Sequence, residues 1–325
     1  MKKIIKSVLR LTLIMVLPLF LSCSKDLENG TNDILTSSDN LAFLINTENI
    51  EDASVHNMTA TRGVQANMSS LSAGFGVSCS AYPSAGTYTS YGHGSYFYKV
   101  QARPNTPTVY YWPTANYKVS FFAYYPYGNT AFTVQSPASA TGSPTYAYTV
   151  PSDIESQVDI MTAEQTDIPC TTHPTVALSF SHRCTDIRFT AYNQQSSALT
   201  VKSIAIYGVK YSGTYTNGAS WTLSGSVNSS SSHPFLLSLN TTVASKATVD
   251  LTGTSNHFIM LPQTVASGTD FFVVKTQEDG EERTYTYTLP SSYTLVMGKS
   301  VTFQLILGNG TLIVNPVNIV DWQAQ

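Results

Sequence analysis

From Tyr110 to Tyr127 the chain reads YYWPTANYKVSFFAYYPY, and its side chains sort into two faces at a period of two. Tyr117, Val119, Phe121, Ala123 and Tyr125 share one face of an extended strand; Lys118, Ser120, Phe122 and Tyr124 share the other. Pro113 and Pro126 bracket the run, as turns at strand ends do. Aromatics on both faces predict a strand covered on both sides. A shorter alternation, Leu41, Phe43 and Ile45, predicts a strand over residues 41–46. Similar patterns predict strands at 145–150, 176–180, 186–192, 203–209, 257–261, 271–276, 283–289 and 301–307. Gly, Pro, Asn and Ser clusters punctuate them, and Glu278-Asp279-Gly280-Glu281 reads as a hairpin tip. Beyond the first 23 residues no segment sustains a 3.6-residue apolar spacing, so the fold class is all-β, built of β-sandwiches.

Composition narrows the function. Of 325 residues only 11% are charged, with 17 Lys+Arg against 20 Asp+Glu and a net charge of −3, while 42% are hydrophobic. That balance excludes a charge-driven disordered tail and a basic nucleic-acid binder. About 300 residues exceed one ordinary sandwich, so two are expected, over residues 41–169 and 170–325. The softest boundary is the polar, Pro- and Thr-containing stretch 164–175.

The amino terminus is an address. Lys2, Lys3, Lys6 and Arg10 precede an eleven-residue apolar run, LTLIMVLPLFL, too short to span about 30 Å of hydrocarbon. Leu21-Ser22-Cys23 ends the run and resembles a bacterial lipobox, in which the thiol is acylated. Residues 1–22 then form a lipoprotein signal peptide, Cys23 carries the lipid that anchors the chain to a membrane, and 23–40 form a polar spacer. Cys79, Cys170 and Cys184 remain, permitting at most one internal bridge. Cys184 continues the alternation of Val176, Leu178, Phe180 and His182, which predicts a buried free thiol; a Cys170–Cys184 bridge is the alternative.

No catalytic constellation emerges, and no cofactor or metal is expected. The histidines are scattered, and Asp153, Glu155, Asp159, Glu164 and Asp167 lack the ligand rhythm of a calcium loop, so they read as a solvated connection. Aromatic faces can stack on sugar rings, which makes a glycan-binding outer-membrane lipoprotein that does not polymerise the alternative function; Trp112, Trp221 and the region 82–98 are its candidates.

Several pieces in order carry a resemblance: the lipobox, Thr61-Arg62, the aromatic strand, Val158-Asp-Ile-Met-Thr-Ala163, Val176-Ala-Leu-Ser-Phe-Ser-His182, Phe258-Ile-Met-Leu-Pro-Gln263 and Gly298-Lys-Ser-Val-Thr-Phe303. Together they resemble the fimbrillin family, the type V pilins of Bacteroidales. The resemblance implies two sandwiches of transthyretin-like topology, export as a lipoprotein, and display at the outer membrane and cell surface in a fimbrium. It also implies other fimbrial subunits as partners, and an arginine-specific maturation protease that cuts between Arg62 and Gly63 and releases the strand bearing Leu41, Phe43 and Ile45. Arg62 stands out independently as the only Arg or Lys between Lys25 and Lys99, in a polar segment suited to proteolysis.

Removing a strand from a sandwich leaves an apolar groove and unpaired backbone groups, a template for another chain. Refilling the slots of Leu41, Phe43 and Ile45 is worth about 5–9 kcal/mol gross, before ordering costs. The donor candidate is 310–325, with Leu312 and Val314, then Val317 and Ile319 beyond Pro316. Because proline cannot donate to a ladder, two short strands or one bent strand are expected there. The pattern leaves open whether this segment is donated or kept, and hence whether the subunit belongs to a stalk, a tip or an anchor; the surface ligand is not specified.

Overall fold

The structure, a computed structural model, describes residues 36–47, 68–85, 95–135, 143–218, 220–308 and 310–322. Cys23, Arg62 and Gly63, with the signal segment and most of the spacer, lie outside the described residues. The first strands are β1 (Thr36–Asn40), β2 (Phe43–Thr47), β3 (Phe75–Pro83), β4 (Ser95–Ala102) and β5 (Tyr111–Pro113). Next come β6 (Tyr117–Tyr125), β7 (Phe132–Gln135), β8 (Thr145–Thr149), β9 (Met161–Pro169), β10 (Val176–His182), β11 (Thr185–Asn193) and β12 (Leu199–Ile206). They are followed by β13 (Lys210–Thr216), β14 (Trp221–Val227), β15 (Phe235–Val243), β16 (Thr248–Asp250), β17 (Phe258–Met260) and β18 (Gln263–Val265). The last are β19 (Asp270–Glu278), β20 (Glu281–Thr288), β21 (Tyr293–Leu295), β22 (Lys299–Gly308) and β23 (Thr311–Asp321). One short helix, α1 (Met68–Ala73), precedes β3. The all-β expectation holds, and the sheets stack face to face over two hydrophobic cores, as in β-sandwiches.

The first core is built on a six-stranded sheet of order β2-β10-β9-β6-β3-β4, with the β1-β5 pair and Leu71 of α1. The second gathers a sheet of order β16-β11-β22-β23, with β17 also on β11, and the sheets β15-β12-β19-β20 and β14-β13-β8-β7. Strand β6 explains why both cores exist side by side. Its Val119, Phe121 and Ala123 enter the first core, whereas Tyr124 on the opposite face enters the second and Phe122 packs on Tyr82. The two-faced aromatic pattern of the sequence is therefore a strand shared between layers.

Several expectations change. Residues 164–175 were expected to interrupt the strands, but β9 runs through Pro169 and pairs with both β6 and β10. Cys170, Val176, Leu178 and Phe180 belong to the first core, while Phe132, Val134, Tyr146 and Tyr148 of β7 and β8 belong to the second. The acidic run is dispersed: Asp153 caps a single 3-10 turn, Asp159 meets His182 at 2.8 Å, and Glu164 and Asp167 ride on β9. The hairpin at 278–281 forms as expected, with Asp279 and Gly280 both at positive φ.

Cys79, Cys170 and Cys184 are free and buried, so the Cys170–Cys184 alternative is not formed. The two thiols sit in different cores. Burial disfavours the thiolate at each, and pushes Cys170 up to about 12. With the thiolate suppressed at pH 8, these three thiols should not react with a chromogenic disulfide reagent in the native chain, and all three should react in guanidinium. Rapid native labelling of Cys79, Cys170 or Cys184 would contradict the burial.

Candidate functional site

The leading segment, residues 36–47, crosses from one pair of strands to another. Strand β1 pairs antiparallel with β5, and after Leu41 and Ala42 the chain enters β2, which runs parallel to β10. The register sets Phe43 opposite Val176, Ile45 opposite Leu178 and Thr47 opposite Phe180. Because β2 is the terminal strand of its sheet, it covers the edge of β10.

Side-chain alternation does the rest. Leu41 and Phe43 are 0% exposed and Ile45 is 4% exposed, whereas the intervening Leu44 is 42% exposed. Phe43 meets the ring of Phe121 edge-on at 5.3 Å and that of Phe75 at 6.0 Å. Such contacts add to the area buried. The strand predicted from three apolar positions is thus seated in the middle of the first core.

The other edge of the segment is held by a loop that the sequence did not single out. Leu41 N–H donates to the Tyr110 carbonyl at 2.8 Å, and its own carbonyl accepts from Thr108 N–H at 2.8 Å. The Phe43 carbonyl accepts from Asn105 N–H at 2.7 Å, and Asn105 has φ +52, a left-handed geometry that Asn tolerates better than most residues. Upstream, Asn40 Nδ2 donates to the Thr108 carbonyl at 2.7 Å, and Asp39 meets His173 at 2.7 Å. His173 in turn stacks on Trp112. Residues 105–110 carry no apolar rhythm, so only the folded chain reveals them as a clasp.

Trp112 is 1% exposed and packed against Phe121, so it is a core side chain with no face free for a sugar. Tyr82 is likewise buried, bonded to Ser120 and Asp167.

The carboxyl-terminal segment is a single strand. β23 pairs antiparallel with β22 from Thr311 to Asp321, and the register shifts between Thr302 and Phe303, where Phe303 faces Pro316. The expected bend is this bulge: β23 is an edge strand, and a bulge at an edge accommodates the missing N–H of proline. Val314 is buried and Leu312 half-buried, while Val317 and Ile319 are 51% and 57% exposed. Beyond them Trp322 is buried again, its ring stacked on His182 at 4.6 Å and its backbone N–H donating to the Gly298 carbonyl at 2.8 Å.

The first core is closed by the chain's own leading strand, and the final strand lies on an open sheet edge. The sequence profile of the fimbrillin-like family matches residues 61–322, and the chain belongs to that family. Its fold is similar to a fimbrial protein from Bacteroides vulgatus, at 18% identity and a TM-score of 0.61, over 87% of this chain and 99% of that one. It is also similar to a cell adhesion protein from Bacteroides ovatus, at 15% identity and a TM-score of 0.52, over 89% of this chain and 99% of the other. No curated protein matches it.

Replacing Phe43 with alanine should lower stability by about 3–5 kcal/mol in urea unfolding, as other buried Phe deletions do. Leu44→Ala on the exposed face should change it by under about 0.5 kcal/mol. Equal losses would show that β2 does not hold the core.

Proposed function

We propose that this chain is a non-catalytic structural or adhesive subunit of a cell-surface fimbria. It is exported as a lipoprotein anchored through Cys23 to the outer membrane, cut between Arg62 and Gly63 by an arginine-specific protease, and assembled by donor-strand exchange. The observation that carries this reading is the leading segment: Leu41 just before the terminal strand of a sheet, and Phe43 and Ile45 on it, are seated in the core, and the segment joins the rest of the chain through a stretch that holds a single arginine. Membership of the fimbrillin-like family supports the fimbrial part.

Cleavage at Arg62 would sever the covalent link that makes β2 a local partner. Its departure would expose the β10 edge, the N–H groups of Asn105, Thr108 and Val176, and three apolar slots. An unpaired edge above empty slots favours capture of another strand. Strand β23 of a neighbouring subunit is the proposed donor, with Leu312, Val314, Val317 and Ile319 as the inserted side chains. Val317 and Ile319 already face solvent at the two-residue spacing of Phe43 and Ile45. Donation would require Trp322 to leave His182, so a subunit that keeps this stack would serve as a tip or anchor.

Incubation of residues 24–325 with an arginine-specific protease should yield a chain beginning at Gly63 and a ladder of multimers in unboiled electrophoresis. Arg62→Ala should abolish both. A ladder formed by that variant, or a clean Gly63 product that stays monomeric and binds no added strand, would contradict the maturation scheme.

A further inference from the structure

The backbone of the leading segment divides its hydrogen bonds between two edges. The Ala42 carbonyl accepts from Val176 N–H at 3.0 Å, and the parallel register carries that pattern on to Leu44 and Asn46, whose backbones face β10. The carbonyls of Leu41 and Phe43 turn the other way, to Thr108 and Asn105. Leu41, Phe43 and Ile45, whose side chains are buried, therefore direct their N–H groups away from β10. A strand in this slot needs N–H groups toward β10 only between its buried positions. A proline is admissible at the third buried position, clear of the Leu41 N–H that bonds Tyr110.

We infer that a neighbour's β23 enters in one register, with Leu312 in the slot of Leu41, Val314 in that of Phe43 and Pro316 in that of Ile45. The inference rests on the strand exchange proposed above and names the residues that perform it. Side chains and backbone select this register separately. From 310 to 322 these are the one set of three side chains at i, i+2 and i+4 that is apolar throughout. Seating Val317 and Ile319 in place of Phe43 and Ile45 would put Asn315 in the slot of Leu41. Moving that register two residues further would put Asp321 in the slot of Ile45. Either buries a polar group without a partner in an apolar core.

The backbone agrees, since Pro316 then sits where no N–H toward β10 is needed. In its own sheet β23 already presents the same face: Leu312, Val314 and Pro316 lie opposite the buried Leu307, Leu305 and Phe303. Val317 and Ile319 run on past the third slot along the rest of β10. Val314 is smaller than Phe43, whose ring meets those of Phe75 and Phe121, so the donor fills that slot incompletely. A tethered β2 therefore excludes it until the chain is cut.

The experiment is anisotropy titration of fluorescein-labelled peptides of residues 310–322 with the full chain, 24–325, carrying Phe43→Asp, whose leading strand the buried charge unseats. The unaltered chain cut after Arg62 is a second acceptor. The Val314→Phe peptide should bind about tenfold more tightly than the unaltered peptide. Pro316→Val should bind at least as tightly as the unaltered peptide. Pro316→Val combined with Asn315→Pro, which moves the proline to a position facing β10, should weaken binding by about tenfold or more. A Val314→Phe peptide no tighter than the unaltered one, or a proline tolerated equally at 315 and 316, would overturn the register and leave strand exchange standing. Binding of a peptide of residues 36–47 without binding of any β23 peptide would remove β23 as the donor. Failure of every peptide on both acceptors would overturn strand exchange itself.

Discussion

The structure depends on how Leu41, Phe43 and Ile45 close the first core. They bring the hydrophobic gain of three large side chains, and their backbone satisfies the outer edge of β10 and the loop at 105–110. These contributions are coupled: the side chains reach their slots only in the register that the backbone ladder sets, and the ladder lies over an apolar slot only while the side chains fill it. A local strand that does both jobs is also the one whose removal leaves the largest unmet demand. Under the proposed scheme, stability and assembly competence would have the same source in this chain.

The second core makes that demand specific. Strand β6 is committed on both faces, and β10 leads directly into β11 through Arg183 and Cys184, with His182 and Cys184 buried on either side of half-buried Arg183. Neither strand can shift to cover a vacated edge without unpacking its other contacts, because close-packed interiors resist such adjustment. Loss of β2 would thus leave a shaped slot rather than a collapsed one. Braces of the same type occur in the second core, where buried Asp186 accepts from Arg188 and Ser300 and faces His257. Burial alone would raise the pKa of Asp186, yet His257, 3.2 Å away, and then Arg188 and Ser300 hold it below the usual carboxylate range.

The sequence revealed elements wherever one residue class alternated. Strands β6, β10, β11 and β22 were legible because large apolar side chains mark one face in each. Strand β3 was not, although it is buried along nearly all its length between β4 and β6. Between Phe75 and Tyr82 it is made of small residues, and at Gly76 the reason lies in its neighbour: a Cβ there would sit 2.0 Å from the Tyr124 ring. Smallness there is a packing requirement that only the partner strand discloses. Strand β9 read as a linker because Glu164, Gln165 and Thr166 point to solvent, while its pairing is carried by backbone groups that leave no mark on composition. At the site, the apolar triplet was legible and the clasp at Asn105, Thr108 and Tyr110 was not, since its contacts with Leu41 and Phe43 are made by main-chain atoms.

The account's central claim is that the leading strand occupies a slot that persists without it. The direct measurement is thermal unfolding of a chain beginning at Gly63, with and without a synthetic peptide of residues 36–47. Saturable stabilisation by that peptide, lost when Phe43 of the peptide is replaced by aspartate, is the predicted result. A truncated chain as stable as the full one and indifferent to the peptide would contradict the claim.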